Sequence, residues 1–167
     1  GYTVVQSNRY VSHRFTKRET SIPVKCLPSS IPIMSFYIDK LAWILVRSRR
    51  QLVARTKEKS VFFTPGGKRE PGEDDATALC RECKEELNVN LVPDSILPYG
   101  VFEAEAFGKP AGTIVRMICY TADYQGSLSP QSEIEEFAWI SSDFPRERLT
   151  VAGCKILDDL KERGLVD

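Results

Sequence analysis

The sequence predicts an α/β (α+β) sandwich, and three observations carry that expectation. Strand-sized apolar runs lie on both sides of one amphipathic helical stretch. A second helical pattern closes the chain, and no internal repeat or low-complexity tract interrupts the series. Taken in order, Phe36–Arg47 and Gln51–Arg55 read as strands around the polar turn Ser48-Arg49-Arg50. Val61-Phe62-Phe63 is a short strand running into the turn signal Thr64-Pro65-Gly66-Gly67. Asp74 or Asp75 can cap a helix that runs to about Leu87 and stops at Asn88, a residue tolerant of the left-handed cap position. Leu97–Phe107, Thr113–Thr121 and Ile134–Ile140 read as strands, and Val151–Arg163 as the closing helix, with Gly164 after it.

A chain of 167 residues fits one domain and is long enough to bury a core without disulfide or metal staples. Residues 1–33 differ from the rest: Arg9, Arg14, Lys17, Arg18 and Lys25 stand against the single acid Glu19, with little periodicity. They read as an N-terminal extension, and 34–167 as the domain. A strand-and-loop appendage without a catalytic part is favoured over a targeting peptide or a read-through remnant. With 23 basic and 23 acidic residues the formal charge is zero, so the field expected of a protein that binds nucleic-acid duplexes is absent. The longest apolar run, Leu41 to Val46, is the size of a strand and not of a membrane span. Five scattered cysteines, an odd count, point to reduced thiols and a cytoplasmic location. Cys80-x-x-Cys83 sits on an apolar helix face with one histidine (His13) in the whole chain, which favours core thiols over zinc.

The chemistry gathers on the central helix. Glu82, Glu85 and Glu86 are three and four residues apart and share a face, while Ala76, Leu79, Cys80, Cys83 and Leu87 form an apolar stripe opposite. Three carboxylates in a row repel one another unless they are solvated or bind cations, and hard oxygen ligands suit Mg²⁺ or Mn²⁺. Gly66-Gly67 lets backbone approach and can offer a carbonyl oxygen. A solvated acidic face is the plainer reading of the cluster taken alone.

The flanking residues change the weight. From Gly67 the chain reads Gly67-Lys68-Arg69-Glu70-Pro71-Gly72-Glu73, seven further residues, and then Arg81-Glu82-Cys83-Lys84-Glu85-Glu86-Leu87-Asn88-Val89. This resembles the Nudix box at every charged position. The departures are Cys83 at an apolar position and Asn88 in place of the closing glycine, the latter a residue that also accepts positive φ. The resemblance implies the Nudix fold, a mixed β-sheet sandwiched between helices with a loop–helix–loop catalytic motif. It implies Glu85 and Glu86 as principal Mg²⁺ ligands and Glu82 as a further ligand or an aid to water activation. Arg81 and Glu73 become a structural pair, and Gly66 or Gly67 the source of a carbonyl ligand. Many relatives add a later carboxylate. Here Glu133, Glu135 and Glu136 precede Trp139, with Glu136 preferred and Glu133 second.

The implied reaction is Mg²⁺-dependent hydrolysis of a phosphate anhydride in a nucleoside diphosphate-linked small molecule. The family's marks for NADH, coenzyme A, ADP-ribose and dinucleoside polyphosphates are missing downstream of the box. By elimination the chain looks like the MutT-like nucleoside triphosphate pyrophosphohydrolases, which yield a monophosphate and pyrophosphate. For substrate contact, Glu103, Glu105 and Phe107 share a strand face and Arg116 shares parity with Tyr120, although sheet packing and surface placement explain the same residues. A hydrolase of another diphosphate such as ADP-ribose, a non-catalytic nucleotide sensor, and an isomerase relying on Cys119 are the competing functions. A monomer and a homodimer both fit.

Overall fold

The computed structural model describes residues 34–106 and 108–167, so the expectations placed on residues 1–33 and on Phe107 lie outside the described residues. Strand β1 (Phe36–Trp43) runs parallel to β7 (Thr113–Thr121), from Phe36 opposite Thr113 to Trp43 opposite Tyr120. Strand β6 (Leu97–Glu105) pairs antiparallel with β7, and the two-residue β4 (Gly66–Gly67) pairs antiparallel with β1. The order β4-β1-β7-β6 makes a mixed four-stranded sheet. A second, antiparallel sheet has the order β2-β3-β9, from β2 (Val46–Arg47), β3 (Arg50–Thr56) and β9 (Ile134–Ile140). A short ladder joins β5 (Asn90–Leu91) to β8 (Tyr124–Gln125).

The run Phe36–Arg47, which the sequence reads as one strand, is broken at Ile44-Leu45. Its first part pairs with β7 and its last two residues with β3, so the chain leaves one sheet to begin the next. The turn that follows has φ of 48° at Ser48 and 60° at Arg49. Two successive positive φ values give the hairpin turn whose twist matches its flanking strands. Phe62 and Phe63 form only isolated bridges, to Leu149 and Ala54, rather than the strand expected at Val61–Phe63. Strands β7 and β9 fall at the predicted bounds, and β6 ends at Glu105.

Two helices cover opposite faces of the four-stranded sheet. Helix α1 (Asp75–Leu87) starts where the Asp74 carboxylate accepts the Thr77 N–H at 2.7 Å, and ends at Asn88 with φ of 59°. Helix α2 (Val151–Glu162) is capped by Thr150, whose hydroxyl accepts the Gly153 N–H at 3.1 Å. Strand alternation sorts the side chains between them. Leu41 and Trp43 of β1 pack with Ala78, Leu79, Cys83 and Leu87 of α1. Ala42 joins Met117, Cys119 and Ala104 against Ile156, Leu157 and Leu160 of α2. Leu79 and Leu87 are fully buried, and truncating either to alanine costs about 2–5 kcal/mol. That anchorage fixes the opposite side of α1 where it faces the glycine strand. No helix among the described residues is long and apolar enough to cross a membrane.

Candidate active site

Backbone geometry comes first. The β1–β4 ladder sets Leu41 opposite Gly67 and Ala42 opposite Gly66. A Cβ on Gly66 would lie 2.0 Å from the Leu41 carbonyl oxygen, and φ there is +141°. A Cβ on Gly67 would lie 2.4 Å from Cδ of Glu82. The two glycines thus let a strand and two helix carboxylates share one space. Glu82 rests on Gly67, and Oε2 of Glu86 accepts the Gly66 N–H at 3.0 Å.

Electrostatics follows from that packing. Glu86 is 3% exposed, and burial pushes its carboxyl up to about 8. The Gly66 N–H opposes that rise, and the charges of Glu82 and Glu133 add to it. Burial also raises Glu82, against the pull of Arg81. Glu85 differs from both, with its side chain 53% exposed. The sequence places all three carboxylates on one face. The structure gives them three degrees of solvation.

Arg81 fastens the loop to the helix. Its Nε and Nη2 reach Glu73 at 2.9 and 2.8 Å, and Nη2 also donates to the Lys68 carbonyl at 3.0 Å. Nη1 contacts Glu82 at 3.1 Å and Glu85 at 3.4 Å, so a base on the helix does meet two of the three acids. Arg81 holds the Glu73 carboxyl below its ordinary range, and a hydrogen bond from the Glu70 backbone adds to this. The expected Arg81–Glu73 pair is present.

Further from the helix, the structure separates the remaining candidates. The Gln131 N–H donates to the Glu86 carbonyl at 2.9 Å and the Ser132 hydroxyl to the Glu85 carbonyl at 3.3 Å. This ties the loop carrying Glu133 to the end of α1, and Glu133 is the acid whose charge reaches Glu82 and Glu86. Glu136 is not brought to the cluster. It stands opposite Arg55 in the β3–β9 ladder and accepts its Nε–H at 2.9 Å. Glu103 and Arg116 pair with each other at 2.9 Å, and Arg116 lies over the Tyr37 ring at 4.3 Å. Neither these two nor the exposed Glu105 contacts Glu82, Glu85 or Glu86. Arg116, on the sheet face of Leu41, is taken up by Asp39 and Glu103, whereas Lys40 stands opposite Met117 on the other face.

Sequence reading missed Lys40. A lysine in phase with Ala42, which faces the α2 core, was the available signal. A cleft of about 380 Å³ lined by Thr56, Lys57, Glu58, Lys59 and Glu133 opens beside Glu133. A larger cleft of about 520 Å³ lies beyond the far end of β1, lined by Ile44, Leu97, Tyr99 and Leu160 among others. Neither cleft is lined by Glu82, Glu85 or Glu86, and of the candidate acids only Glu133 borders one, the smaller. Burial pushes the Cys119 thiol up to about 12, which leaves it without the thiolate a nucleophile needs. The four described cysteines are all free.

Among the described residues no three acidic, histidine or cysteine side chains already converge as a coordination sphere. The donors nonetheless suit a hard divalent cation. They are carboxylate and carbonyl oxygens, and two of the carboxylates are held out of water with raised affinity for a positive partner.

Known proteins share this fold. The profile described as the NUDIX domain matches residues 38–156. The E. coli ORF135 protein is 24% identical with a TM-score of 0.61, over 80% of this chain and 96% of that one. The MutT NUDIX hydrolase from Burkholderia pseudomallei is 23% identical with a TM-score of 0.62, over 73% and 96%. The MutT protein from Methanosarcina mazei Go1 is 19% identical with a TM-score of 0.61, over 80% and 99%. At these identities the likeness is one of fold. No curated protein matches the chain.

Proposed function

The chain belongs to the Nudix family and is a hydrolase, and on that footing we propose that it cleaves a phosphate anhydride in a nucleoside triphosphate, releasing monophosphate and pyrophosphate, with Mg²⁺ or Mn²⁺ as cofactor. One observation carries the reading: two carboxylates with raised pKa, Glu82 and Glu86, are packed against the glycine strand, Glu82 over Gly67 and Glu86 accepting the Gly66 N–H. The cation, when bound, supplies the positive charge that neutralises the diphosphate and acidifies water. Glu85 and Glu86 are its principal ligands, with Glu82, Glu133 and the carbonyl of Gly67 or Gly66 completing the set. Glu133 replaces Glu136 in this role because Arg55 already holds Glu136.

Glu82 also takes the proton of the attacking water, a task for which burial, by raising its carboxyl, makes it a stronger base than an ordinary glutamate. The water oxygen bonds to phosphorus as the anhydride P–O bond breaks, and the leaving phosphate departs as a stable anion. Arg81 and Glu73 position the helix and touch no substrate. Residues 34–167 carry the activity, residues 1–33 are an appendage, and free thiols suit a reducing, cytoplasmic compartment.

The test is release of phosphate or pyrophosphate with Mg²⁺ across standard and oxidised nucleoside triphosphates, ADP-ribose and dinucleoside polyphosphates, with Glu85→Gln as control. Turnover of triphosphates that the variant loses supports the reading. Turnover of ADP-ribose alone moves the substrate to another diphosphate, and silence across the panel favours a nucleotide-sensing module.

A further inference from the structure

Lys40 precedes Leu41, whose partner is Gly67 of the glycine pair beneath Glu82 and Glu86. On its other side it stands opposite Met117, so its side chain leaves the sheet on the α2 face, away from Asp39. It is partly buried, and it has neither an ion pair nor a hydrogen bond among the described residues. Around it stand Glu82 and Glu86, which attract the ammonium without pairing to it, and Lys59 and Lys68, which repel it.

A half-desolvated ammonium with no anionic partner destabilises a fold. Elsewhere on β1 the charges are matched. Asp39, the adjacent residue, has Arg69 and Arg116 each at 3.7 Å. The missing anion at Lys40 is therefore most simply supplied by a ligand. Lys59, which lines the cleft beside Glu133, extends the positive arc outward. On the same sheet face Ile38 and Val115 are half-buried and apolar, a floor for an organic group attached to the anion.

We propose that Lys40 is a substrate-binding residue that grips phosphate oxygens directly, with Lys59 taking the next group along, so that the site selects a chain of at least two phosphates. This rests on the hydrolase reading above and assigns to β1 a contact which that reading leaves open. An ammonium on phosphate is a charge-assisted contact, and an arginine retains the charge while changing its shape.

The test uses methylenediphosphonate, a pyrophosphate analogue that cannot be hydrolysed. Its affinity in the presence of Mn²⁺ is measured by calorimetry for the full chain, K40M and K40R, with the melting temperature of each followed in the absence of ligand. K40M is expected to bind about tenfold more weakly or worse, and K40R to stay within about threefold of the parent. The melting temperature of K40M is expected to be unchanged or higher, because an unpartnered ammonium has gone. If K40M binds as tightly as the parent, the proposal is overturned and the hydrolase reading stands. Weak binding by K40M together with a lower melting temperature, and no recovery in K40R, overturns it too by making Lys40 a structural residue. A parent chain that does not bind the probe at all sinks both readings.

Discussion

Asp39 and Lys40 are neighbours on one strand, and they point to opposite faces of the same sheet. On the Asp39 face each charge has a counter-charge, although the buried Oδ1 of Asp39 accepts no hydrogen bond from the described residues: Arg69 bridges Asp39 and Asp75, Arg116 reaches Asp39 and Glu103, and Tyr120 donates to Asp75. On the Lys40 side the charges are held apart. Among the described residues Lys40 has no partner and the buried Glu86 side chain has a backbone N–H alone, with the charges of Glu82 and Glu133 opposing its ionisation. A network of matched pairs at a surface contributes little stability and asks for nothing more. Unmatched charges kept out of water are costly, and they persist where a ligand completes them.

The contrast can be broken in three ways. The largest effect is expected from Glu85→Gln, which should lower turnover by roughly 10³-fold or more while the melting temperature stays near that of the parent. Retained turnover in a clean preparation would remove the metal site from the unmatched face. Glu86→Gln separates function from stability more sharply. The buried carboxyl titrates at about 8 against an ordinary 4.5, so between those values the folded chain keeps a proton that the unfolded chain releases. Metal-free stability must therefore fall as pH rises through that window and level off above it. Glutamine stays neutral and can still accept the Gly66 N–H. The variant should thus be more stable than the parent by roughly 2–4 kcal/mol above pH 8, equal to it near pH 4, and inactive throughout. Urea denaturation at both pH values without metal checks this, and a variant less stable at high pH would refute it. The smallest effect belongs to the matched face: Arg116→Ala should leave turnover within about twofold and the melting temperature nearly unchanged. A large loss of activity there would restore Arg116 as a substrate contact.

How much of this could be read in the sequence depends on whether the information was local. The α1 boundaries were legible because Asp74 and Asn88 have cap chemistry of their own. The Arg81–Glu73 pair and the glycine strand were legible through the Nudix box, in which spacing stands in for geometry. The break at Ile44-Leu45 was not, because it depends on which strands flank each half of an uninterrupted apolar run. The surroundings of Glu136 and Arg116 were hidden for one shared reason. Each has the right chemistry, but its face is set by pairing with Arg55 or Asp39 across a ladder that only the tertiary fold defines. The different burial of Glu85 and Glu86 was equally hidden, since adjacent helix positions differ by 100° and a sheet edge decides which of them is covered.

The carboxyl carbon of Glu82 comes within 2.4 Å of where the first side-chain carbon of residue 67 would be in any amino acid but glycine. The acid and the absent methyl group are competitors for one volume. Gly67→Ala would therefore evict Glu82 and silence the enzyme with every ionisable group still present, as loss of turnover with an unaltered titratable inventory would show. For a drifting gene this makes a residue with no charge and no side chain as vulnerable as the ligands it accommodates. A mutational survey confined to acids and bases would overlook it.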